Sequence, residues 1–132
     1  MSKGIAVYAV SDQTAETVCR LVRAASAQFP KGDITIKALS HASSARQVVD
    51  FIEAQGDGRI PCAVFHTILQ KRFREDLRCA LQTLRIPAID LLGSTAHVMA
   101  DLIGEGPSET PGLTIGDGAT PTFFDLSREG RG

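Results

Sequence analysis

The sequence predicts an α/β domain whose core is a parallel sheet of four strands with flanking helices. Four short runs rich in Val and Ile alternate with segments in which apolar residues recur at helical spacing. Each strand-helix unit occupies 25 to 30 residues, which is typical of parallel strands joined by right-handed crossovers. The chain of 132 residues has the length of one such domain. These observations favour a Rossmann-like or flavodoxin-like architecture.

The strand-like runs are bounded by Gly, Pro, Ser or Asp. They are Ile5 to Val10, Ile34 to Leu39, Pro61 to His66, and Ile86 to Leu92. The first, third and fourth are nearly continuous apolar runs, which predicts strands that are covered on both faces.

The segments between and after these runs have apolar stripes of helical period. The stripes consist of Val18, Leu21, Val22, Ala25 and Phe29; of Val48, Val49 and Ile52; of Phe73, Leu77, Leu81 and Leu84; and of Thr95, Met99, Leu102 and Ile103. We expect the second helix to end near Gly56, the third before Pro87 and the fourth at Gly104.

The composition changes after Ile103. The last 29 residues hold seven of the twelve glycines and three of the six prolines. Between Asp101 and Leu126 there are five acidic residues and no basic one. We therefore predict an α/β domain over residues 1–104 and an irregular acidic tail over residues 105–132, mobile or draped over the domain.

Composition also excludes several classes of partner. A net charge of −1 argues against binding of nucleic acid through overall basicity, and no apolar run is long enough to span a membrane. The segment from Met1 to Gly4 is too short for a signal peptide. Cys19, Cys62 and Cys79 are odd in number and scattered, which favours reduced thiols and a cytoplasmic location.

The loop after the first strand is the richest candidate for a site, because ligands of open parallel sheets bind at the carboxyl ends of the strands. Its candidate residues for binding an anion or a substrate are Ser11, Asp12, Thr14, Glu16 and Thr17. Hydroxyl groups and free N–H groups at a helix start suit an anion. The alternative is that Ser11 or Asp12 only caps the helix. Thr17 shares a face with Thr14 and Asp12 only if the helix begins near Gln13.

His66 ends the third strand-like run and Thr67 follows it. These two complete the set of candidate binding residues, and we expect Thr67 and Asp12 to lie within one site. His41 also ends a strand, whereas His97 lies in the fourth helical stripe. No second ligand stands at helical spacing to His41 or His66, so no metal site is predicted. The residue patterns assign no catalytic role to any side chain.

The predicted third helix and the residues just after it carry two patterns that suggest phosphate binding. Cys79 and Arg85 have the spacing of cysteine phosphatases, but the residues between them form a helical stripe without glycine, so that interpretation is rejected. The basic residues Lys71, Arg72, Arg74 and Arg78 can bind phosphate or an acidic protein, or simply form the solvated face of a helix. The chain contains no Walker-type glycine-rich loop.

Three stretches resemble one known family. They are Val7 to Thr17, with its Ser11-Asp12-Gln13-Thr14-Ala15-Glu16-Thr17 core; Phe65 to Leu69 with Phe73 to Leu77; and Ile86 to Gly93. Together with Pro111-Gly112 they resemble the bacterial regulators of pyruvate phosphate dikinase and phosphoenolpyruvate synthase, in order, over about 110 residues. The family pattern usually has glycine where this chain has Ala15, whose methyl group narrows any pocket there.

The resemblance implies a bifunctional enzyme. One activity is an ADP-dependent kinase that phosphorylates a threonine of the dikinase or synthase, and the other is a pyrophosphorylase that removes this phosphate with inorganic phosphate. No other cofactor is implied. Members of the family are about twice as long and carry a P-loop in the second half, which these 132 residues lack. The alternatives are a non-catalytic module that binds an anion or a protein, and a homodimeric structural remnant.

Overall fold

The computed structural model describes residues 4–56 and 60–108. Strands and helices alternate along this part of the chain. They are β1 (Ile5–Val10), α1 (Glu16–Ser26), β2 (Ile34–Leu39), α2 (Ala45–Ala54), β3 (Cys62–His66), α3 (Lys71–Thr83), β4 (Ala88–Asp90) and α4 (Gly93–Ile103). The predicted tail lies almost wholly outside the described residues. No helix in residues 4–56 and 60–108 is long and apolar enough to cross a membrane.

The four strands form one parallel sheet in the order β2-β1-β3-β4, which confirms the predicted fold class. The chain moves from β1 to one side to form β2 and then returns past β1 to form β3. The reversal places a topological switch point between the carboxyl ends of β1 and β3, where open parallel sheets bind ligands. Val10 pairs with His66, and His66 pairs with Asp90, so the last residues of three strands lie side by side.

One face of the sheet is well covered. Tyr8, Val10 and Val64 project from β1 and β3 into a core that α2 and α3 close. The side chains that α3 contributes are Phe73, Leu77 and Leu81, all buried at helical spacing as predicted. This packing holds α3 beside the carboxyl ends of β3 and β4.

The opposite face is only partly covered. Val18 and Val22 of α1 pack there on Val7 and Ala9. Nothing in the described residues covers the β4 part of this face, and Ile89 is 47% exposed. The prediction that the fourth strand is buried on both faces is therefore wrong. β4 is a three-residue edge strand, and a run of apolar letters does not reveal whether a neighbour is present.

The apolar stripes predicted from the sequence are only partly buried in the structure. Leu21 of α1 is exposed. Phe29 and Leu84 are exposed as well, and both lie beyond the helices, because α1 ends at Ser26 and α3 at Thr83. Helix α4 ends at Gly104 as predicted, with a left-handed φ of 89° that favours glycine. Its Met99, Leu102 and Ile103, however, are exposed rather than packed.

Candidate functional site at the carboxyl edge

The loops after β1 and β3 are joined directly across the switch point. Oδ2 of Asp12 accepts a hydrogen bond from the backbone N–H of Leu69 at 3.1 Å. The N–H of Thr67 donates to the carbonyl of Val10, also at 3.1 Å. Asp12 and Thr67 thus lie close together at the carboxyl edge of the sheet, as expected from the sequence.

The start of α1 differs from the prediction. The helix begins at Glu16 with Ala15 as its N-cap residue, and no described side chain caps it. The hydroxyl of Ser11 instead accepts from the N–H of Gln13 at 3.0 Å, which makes a local turn. Neither Ser11 nor Asp12 is the helix cap, since Ser11 bonds to Gln13, Asp12 bonds to Leu69 and the N-cap position is Ala15.

The remaining first-loop candidates lie on the β2 side of the loop. Thr14 and Glu16 are exposed and line a surface cleft with Ser40, whose hydroxyl accepts from the N–H of Ala15 at 3.0 Å. Thr17 is exposed as well. Since α1 begins three residues after Gln13, the condition for Thr17 to share a face with Thr14 and Asp12 is not met.

His66 is buried at this edge, with 4% of its surface exposed, as is Ser11. Its Nδ1 accepts a hydrogen bond from the N–H of Ile68 at 3.4 Å. In the neutral ring, an accepting Nδ1 leaves the proton on Nε2, so the geometry selects the Nε2–H tautomer. Burial lowers the pKa of His66, and the positive charge of Arg74 lowers it further, while Asp90 and Asp12 act in the opposite direction.

Beside His66 lies a carboxylate held from two sides. Oδ2 of Asp90 contacts Nε of Arg74 at 3.5 Å, and its Oδ1 accepts from the N–H of Gly93 at 2.6 Å. Nη1 of Arg74 donates to the carbonyl of Leu69 at 2.5 Å. Arg74 therefore links β4 to the loop that also bonds to Asp12.

Gly93 is required at the start of α4 for a steric reason. A Cβ atom added there would lie 2.2 Å from Oδ2 of Asp90 and 2.9 Å from Cδ of Arg74. Distances this short force one of the two side chains to move. The absence of a side chain at Gly93 thus allows Asp90 and Arg74 to pair.

The sequence patterns do not predict the roles of Arg74 and Asp90. In the sequence, Arg74 belongs to the basic cluster on α3, and Asp90 lies inside the fourth strand-like run. The available signal was the spacing Asp90-Leu91-Leu92-Gly93, since an acidic residue three positions before a helix start can bond to that helix's first N–H groups. The partnership of Arg74 depends on how α3 packs, which no local pattern reveals.

The other candidates from the sequence lie outside this cluster. His41 is exposed with a positive φ of 56°, and His97 is exposed with its Nε2 3.6 Å from Oδ2 of Asp101. Cys79 lies within α3 and Arg85 follows that helix, as the rejection of a phosphatase loop required. Residues 4–56 and 60–108 contain no group of three His, Cys, Asp or Glu residues that could hold a metal ion.

The family described as Kinase/pyrophosphorylase matches residues 7–120 of the chain. The chain belongs to the kinase/pyrophosphorylase family. This match includes most of β1, all of β3 and β4, and every residue of the cluster described above. It confirms the resemblance drawn from the Ser11 to Thr17 core and the two later stretches.

Members of the kinase/pyrophosphorylase family named as pyruvate, phosphate dikinase regulatory proteins are similar to the chain. The relative from Geobacter sulfurreducens is 32% identical over 107 residues, and that from Citrifermentans bemidjiense is 27% identical over 107 residues. The relative from Listeria welshimeri is 31% identical over 109 residues. Each match covers 81% of this chain but only 38 or 39% of the relative. The chain thus spans about two fifths of the length of these relatives.

Proposed function

We propose that the chain provides the first α/β domain of a bifunctional regulator of pyruvate phosphate dikinase or phosphoenolpyruvate synthase. The regulator phosphorylates a threonine of its target with ADP as phosphoryl donor. It removes the same phosphate with inorganic phosphate and releases pyrophosphate. We place this activity in the cytoplasm.

The observation that carries the proposal is the family match over residues 7–120, together with relatives named for dikinase regulation. The carboxyl-edge cluster is compatible with such an activity. Phosphoryl transfer needs positioned donors and positive charge rather than covalent chemistry by the protein. Arg74 and the Nε2–H group of His66 are donors of this kind at the carboxyl edge of the sheet.

The chain by itself is not expected to complete the transfer. These 132 residues contain no glycine-rich P-loop that could hold the phosphates of a nucleotide. We assign to this domain the positioning of the phosphoryl group or of the target segment. The nucleotide site is then supplied by further residues of the family's full-length members.

The direct test is to incubate the purified chain with ADP and each candidate target, and to search for phosphothreonine by mass spectrometry. The matched sample is a full-length relative, such as the protein from Geobacter sulfurreducens. Modification by the relative, abolished by Arg74→Gln at the equivalent position, supports the assignment. A relative that modifies neither target, or an unaffected Arg74→Gln variant, contradicts it.

A second candidate function is a non-catalytic module that binds a protein, including another copy of itself as a homodimer. The observation in its favour is the number of large apolar side chains that the described part of the domain leaves exposed. They are Leu21, Phe29, Leu84, Ile89, Val98, Met99, Leu102 and Ile103. Exposed apolar patches commonly mark contact surfaces. Light scattering over a concentration series distinguishes a dimer from a monomer.

A further inference from the structure

A small cavity lies between α3 and the ends of β3 and β4. It has a volume of about 200 Å³ and is lined by His66, Arg74, Glu75, Arg78, Ala88 and Asp90. The first-loop residues predicted to bind an anion do not line it. It is therefore separate from the loop site that the sequence suggests.

The acceptor groups on the inner wall of this cavity already have donors. Oδ1 of Asp90 takes the N–H of Gly93, and Oδ2 lies against Nε of Arg74. The charge of Asp90 is therefore offset by the guanidinium of Arg74. Glu75 contributes a second carboxylate, but it is exposed at the rim, where water screens its charge.

The donor groups, by contrast, are incompletely used. His66 is nine-tenths buried, and its described hydrogen bond uses Nδ1 rather than Nε2. Arg74 uses Nε and Nη1, which leaves Nη2 outside its two contacts. Arg78, one helical turn further along α3, is exposed at the rim like Glu75 and makes no ion pair within the described part of the chain. A cavity with satisfied acceptors and spare donors selects a ligand that accepts hydrogen bonds and carries negative charge.

We propose that this cavity binds a phosphate group through Nε2–H of His66 and the guanidinium groups of Arg74 and Arg78. Both arginines project from successive turns of one helix, so they can approach two oxygens of a tetrahedral anion. The neutral imidazole donates to another oxygen without adding a charge. The Asp90–Gly93 contact holds Arg74 in place, and Asp90 is therefore a positioning residue.

The phosphate has two chemical sources, and this part of the inference rests on the proposed function. It is either inorganic phosphate or the phosphate of a modified threonine side chain. Both present the same oxygens to the cavity. A phosphothreonine also needs room for its peptide at the rim beside Glu75.

The experiment titrates inorganic phosphate, and separately phosphothreonine with blocked termini, into the 132-residue chain. Nitrogen NMR follows Nε2 of His66, and calorimetry gives the dissociation constant. Potassium chloride at equal ionic strength is the salt control. We expect saturable binding of at least one ligand with a shift of the Nε2 resonance, since that atom gains a hydrogen bond.

Variants on α3 locate the site. Arg78→Gln removes a cavity donor and is expected to weaken phosphate binding about tenfold. Arg72→Gln is the matched control, because Arg72 is exposed, pairs with Asp76 and does not line the cavity. Its affinity should change less than twofold.

Three results overturn the proposal. They are a chloride effect equal to that of phosphate, equal weakening by Arg72→Gln and Arg78→Gln, and no shift of Nε2 with either ligand. Binding of inorganic phosphate alone, of phosphothreonine alone or of both supports it and identifies the source. None of these measurements uses ADP or a target enzyme. A negative result would therefore contradict the phosphate site without contradicting the proposed kinase activity, which is tested separately.

Discussion

The carboxylate of Asp12 accepts a hydrogen bond from the backbone N–H of Leu69, 57 residues further along the chain. This bond joins the loop after β1 to the loop after β3 at the switch point of the sheet. The second loop is in turn bound to Arg74, which pairs with Asp90 of β4. One chain of polar contacts therefore runs across the carboxyl ends of three adjacent strands.

Replacing Asp12 with alanine should lower the free energy of unfolding by about 1.5 kcal/mol, because it removes a hydrogen bond to a charged acceptor. Asp12→Asn keeps an acceptor oxygen and should cost less than half of that. Urea denaturation measures both values, and hydrogen exchange should show faster exchange at Leu69. Faster exchange confined to the first turn of α1 would instead indicate a helix cap.

Gly93→Ala should destabilise the domain by about 1 to 3 kcal/mol, since the new Cβ displaces Asp90 from Arg74. Gly106→Ala is the control, because a Cβ added at Gly106 meets no atom within 4 Å. Thermal denaturation measures the melting temperatures of both variants against that of the unmodified chain. Equal melting temperatures would show that the Asp90–Arg74 contact contributes nothing to stability.

The stability of the domain should depend on the protonation of His66. Burial makes its folded pKa lower than the unfolded value of 6.5, so the unfolded chain binds a proton more readily. The free energy of unfolding should therefore fall as the pH is lowered from 6.5 towards the folded pKa, and stay constant with respect to this group above 6.5. Denaturation at several pH values measures the slope.

The His66-dependent fall in the free energy of unfolding below pH 6.5 should be absent in His66→Gln. It should persist in His97→Gln, because the side chain of His97 is exposed. NMR titration of the His66 ring measures its pKa in the folded state independently. A His66 pKa at or above 6.5 would contradict the prediction.

The first loop remains a candidate anion site on sequence grounds, and the double variant Thr14→Val, Thr17→Val tests it. The change preserves side-chain volume and removes two hydroxyl groups, so the melting temperature should stay nearly constant. Phosphate bound in the cavity at His66 should raise the melting temperature of the chain. We expect this rise to persist in the double variant, because these exposed side chains lie away from that cavity. Loss of the phosphate response in this variant would place the anion in the first loop.

ADP should bind the chain no more tightly than about 1 mM, which corresponds to roughly −4 kcal/mol. The physical reason is that the 132 residues lack a P-loop whose N–H groups could surround the phosphates. Calorimetry with ADP measures this directly. Micromolar affinity would show that the domain has a nucleotide site of its own.

The order of strands and helices was determined by the sequence alone. Local spacing is sufficient for this, because alternating apolar runs and helical stripes depend on residues a few positions apart. The Ser11 to Thr17 core also identified the family, and the general rule for parallel sheets placed Asp12 and Thr67 at one edge.

Only the tertiary structure decided which polar groups meet at that edge. Arg74 belongs to a basic helix in the sequence, yet packing of Phe73 and Leu77 turns it towards Asp90. The exposure of Ile89 likewise depends on a neighbour being absent beside β4 in the described residues. Hydrogen bonds between distant residues and the covering of a sheet face are set by the packing of whole elements, which local sequence patterns do not encode.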